Sequence, residues 1–440
     1  MRKSIISKIF RLIFSAFFIR ILGFVFRIYL SKVSGAEGCG LYQLVLSVYA
    51  FGAGISAFGI RETLSKLVAQ KEKYSKRILK TALVITGSIS LLMFVITYIN
   101  SEYIAYSILK DSRVLKSIRV ISFSFPAIAV FSSISGYFNG LLRVKYCANG
   151  QIIEQITRIL FVFLFAKEGL KYGLENGIKV MSLGIVIGEY VSMLYIYVSY
   201  RFFASKRQDT YIKKTFFTDI MKLSLPIASG GYIASLIHTM ENVLMPTKLI
   251  EYGLTRGEGV SILGIIKGMA GPVVFLPTVI IGAVSVLTLP EISKVEAYGN
   301  FKRIKHLTFK TLFSGVITGI LSFFLLSMFS DCISGVLYDS LEPSYYIKTM
   351  SVVLPFLFFN ILSSSILNGM GLQFLTMTVN IFSGVVKLMF VILVVPYFGI
   401  KGYLLGYILS EGTGFLVFLT LIYTKIYSKK GVKNKFYLKC

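Results

Sequence analysis

The chain has 440 residues, 55% hydrophobic and 15% charged, with a formal net charge of +27 and a mean hydropathy of +0.74. That balance excludes an ordinary soluble core and belongs to a polytopic membrane protein. Nucleic acid is excluded as a partner, because the basic residues lie in short loops between apolar runs, where the positive-inside rule places them.

In chain order, the sequence predicts twelve membrane spans at 9–31, 42–60, 81–100, 117–141, 151–167, 180–200, 217–244, 260–289, 311–330, 349–368, 373–396 and 402–424. Each approaches the ~20 apolar residues that cross a bilayer. No connecting loop is long enough to fold as a soluble domain. The first run follows Arg2, Lys3 and Lys8 as a leader peptide would, but Arg20 interrupts it, so we read it as an uncleaved span. Arg20 and Arg27 lie seven residues apart and share a helix face with Ala16, Gly23 and Ser31. An arginine in the bilayer core costs at least ~2.5 kcal/mol, so this face is expected to line a cationic cavity for an anionic cargo. The competing reading is that the two side chains snorkel to the interfaces or pair with glutamates elsewhere.

With the N-terminus placed in the cytoplasm, 29 of the 47 Lys and Arg residues fall in inside segments and 11 in outside loops. This bias predicts a multi-pass protein of the cell membrane with both termini cytoplasmic. Tyr and Phe must form any interfacial aromatic belt, since Trp is absent. Cys39, Cys147, Cys332 and Cys440 show no CxxC or CxxH spacing, which predicts no metal site and no disulfide framework.

The chain also repeats itself. Ser65-Lys66 recurs as Ser293-Lys294, Lys80-Thr81 as Lys310-Thr311, Pro126 as Pro355 and Asn139-Gly140 as Asn368-Gly369. The run Arg158-Ile-Leu-Phe-Val recurs as Lys387-Leu-Met-Phe-Val, and Glu189 matches Glu411. The order and the near-constant offset predict an all-α fold of two six-helix lobes, related by a pseudo-two-fold axis along the membrane normal. We place the first lobe at 1–205, a cytoplasmic linker at 206–216, the second lobe at 217–428 and a basic cytoplasmic tail at 429–440. A cavity between two such lobes suits alternating access.

Cations outnumber acids in the spans. Arg158 with Glu189, and Lys387 with Glu411, stand at matching places in the two lobes. Each pair reads either as a buried salt bridge or, through its glutamate, as a site for a coupling H⁺ or Na⁺. Arg20, Arg27 and Lys267 have no evident partner within their lobes. Lys267 lies between Gly264 and Gly271, ahead of Pro272 and Pro277, on a helix that is easily broken. That setting suits a gating element touching cargo, or close packing with the lysine snorkelling. Arg61 reads as an interfacial anchor or an entry site for an anionic headgroup. Glu241, three residues after His238, is a further candidate for an ion or for pairing with Arg20 or Arg27. Walker A, GxSxG and HExxH motifs are absent, so the chain reads as no enzyme, needing no cofactor, and as a secondary transporter.

The stretch Ser34-Gly35-Ala36-Glu37-Gly38-Cys39-Gly40-Leu41-Tyr42, with Phe58-Gly59-Ile60-Arg61 and Ser65-Lys66, resembles the glycine turn of polysaccharide exporters. These belong to the multidrug/oligosaccharidyl-lipid/polysaccharide flippase superfamily, and the likeness is to its stage V sporulation protein B-like branch, relatives of the lipid II flippases. The resemblance implies export of an undecaprenyl-pyrophosphate-linked saccharide, a peptidoglycan precursor such as lipid II for spore cortex. It also implies cavity arginines for the pyrophosphate, matched here by Arg20 and Arg27 and, by approximate place, Arg61 and Lys267. Some members of the group carry two further C-terminal spans, whereas this chain has twelve. The membrane potential would drive the anion outward, and cell-wall synthesis enzymes are the candidate partners. The alternatives are a cation-coupled multidrug exporter of the same fold, which should favour acids and aromatics in its cavity, and a structural protein that docks a glycosyltransferase.

Overall fold

A 56-residue helical run, α1 (Arg2–Ala57), opens the computed structural model and is broken once, at Gly35 (φ 68°, ψ −174°). The structure describes the backbone of residues 2–204 and 216–427, and the side chains of 17–203 and 216–426. Residues 206–215 of the expected linker and the tail 429–440 lie outside these. The stretch 32–41, expected as a turn, is helical except at Gly35. The first two spans are therefore two helical segments joined at one residue that only glycine adopts readily.

The second segment stops at Phe58 (φ 48°) and Gly59 (φ 59°), two consecutive left-handed residues. There follow α2 (Ile60–Gln70), α3 (Ser75–Ile99), α4 (Leu115–Ser122), α5 (Ser124–Gly140), α6 (Lys145–Lys171) and α7 (Leu174–Ala204). Helix α2 buries Ile60, Thr63, Leu64, Leu67 and Val68, a one-sided stripe at helical spacing. It lies on α5, where a side chain at Gly136 or Gly140 would meet the Arg61 carbonyl or Val68.

The second half consists of α8 (Phe217–Glu251), α9 (Arg256–Leu263), a π-helical turn (Gly264–Ala270), α10 (Gly271–Val274) and α11 (Thr278–Ala297). After these come α12 (Phe301–Met328), α13 (Ser330–Tyr338), α14 (Glu342–Ser351), α15 (Leu354–Gly369), α16 (Gln373–Leu393) and α17 (Val395–Ile422). The eighth span, expected as one helix over 260–289, is thus divided. The chain widens to π geometry around Lys267 and breaks over 275–277, where Pro272 and Pro277 withhold backbone donors.

Among the described residues, nine helices are long and apolar enough to cross a membrane, or eleven if each of two bent pairs is one span. The first of the nine contains the break at Gly35, and α6, the fifth expected span, is an unbroken helix. The protein is all-helical and multi-spanning.

Packing bears the mark of the duplication. In the first half α5 packs against α2, α3 and α7, and α6 against α7; in the second, α15 packs against α11, α12 and α17, and α16 against α17. The repeated prolines mark repeated bends. Residues Ser112–Ser122 meet α5 at 41°, just before Pro126, and α14 meets α15 at 51°, just before Pro355. The repeated Asn-Gly pairs end α5 and α15, and both glycines are contact points, Gly140 on Val68 and Gly369 on the Leu289 carbonyl and Ile292. Ser293, the counterpart of Ser65, donates to the Gly369 carbonyl (2.7 Å).

By contact the chain forms two compact units. One runs to Val243 and includes Val260–Gly264; the other comprises Leu244–Gly259 and the chain from Ile265 onward. Most of α8, up to Val243, belongs to the first unit because it runs antiparallel along α1 and α2. Ser224 donates to Thr63 (3.0 Å), Tyr232 to the Ile55 carbonyl (3.4 Å) and Asn242 to Ser47 (2.9 Å). Residues 260–264 join that unit mainly through backbone. A Cβ at Gly40 would collide with the Val260 carbonyl, and one at Gly264 with the Ala36 carbonyl.

Candidate functional site

Arg27, Glu154, Arg158 and Glu189 of the first unit gather where α1, α6 and α7 meet. On α6, Arg158 pairs with Glu154 one turn back (3.4 Å), donates to Gln155 and lies over the Phe26 ring of α1 (5.9 Å to its centroid). Glu189 of α7 is nearly inaccessible and accepts a hydrogen bond from the Tyr49 hydroxyl (2.5 Å). Arg158 therefore finds its carboxylate on its own helix rather than at Glu189, the partner suggested by the repeat. Tyr42 lies within electrostatic reach of Arg27, Arg158 and Glu154, and Glu189 within reach of Glu154, Arg158 and Arg61.

Small residues make this proximity possible. Gly23 on the arginine face of α1 lies against Gln155, and Gly188 on α7 sits against the Glu154 carbonyl. Arg27 is half-buried and acts on both Cys39 and Tyr42, so it belongs to this cluster instead of standing apart from it. Arg20, two turns earlier on the same face, is exposed. Arg61 is half-buried in the first turn of α2, with its guanidinium over the Phe131 ring of α5 (5.7 Å).

Glu241 of α8 is fully buried, with His238 Nδ1 3.7 Å from its carboxylate. It lies where α8 follows the second segment of α1, next to the Asn242–Ser47 bond and the Thr239 bond to the Ser47 carbonyl (3.3 Å).

The second unit holds a cation–aromatic ladder. Lys267, on the π-helical turn, stands 6.0 Å from the Tyr403 ring centroid, and the buried Lys387 stands 5.2 Å from that of Tyr407. The two tyrosines are one turn apart on α17, so the lysines reach successive rungs of one face. Glu411, a further turn along, accepts from Asn360 Nδ2 at its carboxylate (2.8 Å) and at its backbone carbonyl (3.0 Å). Buried intramembrane charge is costly unless partnered, and each buried or half-buried candidate described here lies beside an aromatic, polar or charged neighbour.

Sequence reasoning missed Tyr49, Gln155 and Asn360. Only the Glu154–Arg158 spacing of four residues carried a signal for the contact Arg158 makes. Among the described residues no group of three or more His, Cys, Asp or Glu side chains could hold a metal ion.

Comparison with known proteins agrees with this architecture. Residues 5–296 match the family model described as "Polysaccharide biosynthesis protein". The chain is 27% identical over 427 residues to Stage V sporulation protein B of Bacillus subtilis (strain 168), covering 93% of this chain and 81% of the relative. Its fold is similar to a solved structure of the lipid II flippase MurJ in an inward closed conformation, with TM-score 0.75 and 17% identity over 93% of this chain and 86% of that one. It is also similar to an inward-facing multidrug resistance MATE family transporter of the MOP superfamily, with TM-score 0.73 and 15% identity over 94% and 96% of the two chains. The chain belongs to the polysaccharide biosynthesis protein family, and its multi-spanning helical fold is the one found in the flippase and transporter structures it resembles.

Proposed function

We propose that this protein flips an anionic, undecaprenyl-pyrophosphate-linked saccharide, a peptidoglycan precursor of the lipid II kind used for spore cortex, across the cytoplasmic membrane. The observation that carries this reading is the arginine face of α1, where Arg20 is exposed and Arg27 half-buried seven residues apart on an apolar helix. A guanidinium donates in a fixed fork that matches phosphate oxygens, and such charge-assisted bonds are strong in a low dielectric. Arg61 and Lys267 are further phosphate contacts in this reading. The similarity to a sporulation protein and to the fold of a lipid II flippase supports the cargo class.

Movement is by alternating access of the two duplicated lobes, 1–205 and 217–428, with both termini in the cytoplasm. The inside-negative potential favours outward passage of the anion and inward return of H⁺ or Na⁺. Glu189, Glu241 and Glu411 are the carboxylates that would carry the coupling ion, and cell-wall synthesis enzymes would receive the product.

The test is a flipping assay in proteoliposomes with a fluorescent lipid II. Arg20→Ala/Arg27→Ala is expected to lose at least about tenfold in rate, the equivalent of ~1.4 kcal/mol, while remaining monodisperse with an unchanged melting temperature. Undiminished flipping by that variant overturns the reading. The MATE-like fold and the deep acids Glu189 and Glu411 favour a second reading, a cation-coupled exporter of cationic drugs. It takes precedence if the wild type moves ethidium under a H⁺ or Na⁺ gradient but leaves lipid II in place.

A further inference from the structure

Away from the arginine face, α3 and the start of α8 enclose a groove of about 600 Å³ whose two ends differ in chemistry. At one end stand Arg77 and Lys80, three residues apart in the first turns of α3 and hence on one side of it. Val84, Ile85 and Ile89 continue that side, and Phe217 and Met221, one turn apart on α8, form the opposite wall. From Arg77 to Ile89 the helix rises ~18 Å, close to the depth of one leaflet of a ~30 Å hydrocarbon core.

The groove is preformed. Lys71, capping α2, holds Asp219 of α8 at 2.7 Å, and the Tyr74 and Phe216 rings meet at 5.8 Å between centroids. The apolar lining opens outward, with Val84 64% and Phe217 52% exposed.

We propose that this groove binds one anionic glycerophospholipid of the surrounding membrane, its phosphate between Arg77 and Lys80 and one acyl chain along Val84, Ile85 and Phe217. Two cations one turn apart complement a single phosphodiester, and an apolar run one leaflet deep fits one acyl chain. An undecaprenyl chain is several times longer than the groove. The site is separate from the α1 arginines and independent of the transport reading. By the charge bias of the loops, the basic end meets the cytoplasmic leaflet, where anionic lipids attract clustered Lys and Arg.

The experiment uses the full chain in phosphatidylcholine nanodiscs doped with phosphatidylglycerol carrying a diazirine in its acyl chain, with adducts mapped by peptide mass spectrometry. Adducts are expected within 84–89 and 217–221, on the order of tenfold above those from phosphatidylcholine with the same acyl chain, since clustered cations near the membrane surface attract an anionic headgroup. Arg77→Gln/Lys80→Gln should fall to the phosphatidylcholine level, and Arg77→Lys/Lys80→Arg should retain labelling. Equal labelling by the two headgroups in the wild type overturns the proposal, and that comparison stands even if the neutral variant fails to fold. Unchanged labelling in a folded neutral variant also overturns it. So does displacement of the probe by undecaprenyl phosphate but not by an equal excess of phosphatidylglycerol, which would assign the groove to a prenyl lipid.

Discussion

At the scale of single residues, the charges buried in the first unit are held by short, specific contacts. Arg158 takes Glu154 from its own helix, Glu189 accepts a hydrogen bond from the Tyr49 hydroxyl, and Arg27 completes the neighbourhood. Removing one member of such a pair leaves its partner's charge without compensation, which is worse than removing both. The Arg158 and Glu154 side chains are 18% and 22% exposed, so water screens part of the loss. Glu154→Gln is expected to destabilise by about 2 kcal/mol, and Glu154→Gln/Arg158→Gln by less than that single change. Thermal unfolding of the purified protein in detergent reads both, and a double variant less stable than Glu154→Gln contradicts the pairing. The sequence placed Arg158 and Glu189 within spans and in duplicate, but it offered their pairing, beside an ion-site reading, by position alone. Which carboxylate a guanidinium reaches depends on rotamers and on where a tyrosine from another helix arrives. Tyr49 and Glu189 are 140 residues apart, a separation that no local spacing encodes.

At the scale of elements, the helices are interrupted where backbone chemistry requires it. The prolines matched between the halves, Pro126 and Pro355, stand just after bends of 41° and 51°, so the repeat marked the two places although the sequence predicted unbroken spans there. The division of the eighth span follows from Pro272 and Pro277, whereas the π turn around Lys267 had no sequence signal beyond its glycines. Gly35 offers a clean test. A Cβ there would meet nothing within 4 Å, so the effect of Gly35→Ala is conformational and not steric. Its backbone (φ 68°, ψ −174°) is close to glycine-only territory, and the substitution should destabilise by about 1–3 kcal/mol. Gly40→Val tests the opposite case, since its side chain must push α1 away from Val260. We expect Gly40→Val to lower the thermal unfolding midpoint of the purified protein by several degrees, the cost of overpacking a closed contact. An unchanged midpoint would contradict the close approach.

At the scale of the molecule, the duplication was the most legible property, because it rests on ordered matches along the whole chain. The division by contact was not legible. It assigns most of α8 and residues 260–264 to the first unit through hydrogen bonds and glycine contacts that lie close only in the folded chain. Orientation can be tested with a native residue. Cys332 is exposed on α13, while Cys39 and Cys147 are buried. In intact cells expressing Cys440→Ser, a membrane-impermeant maleimide is expected to label Cys332 from outside. Labelling only after permeabilisation would invert the topology. The approach of Gly40 to Val260 and of Gly264 to Ala36 also has an evolutionary corollary. A junction made of main chain and one valine side chain presents nothing to titrate or to screen with salt. Natural variation at either glycine can therefore abolish it but cannot grade it, and any adjustment of how firmly it holds must arise at Val260 or in the flanking helices.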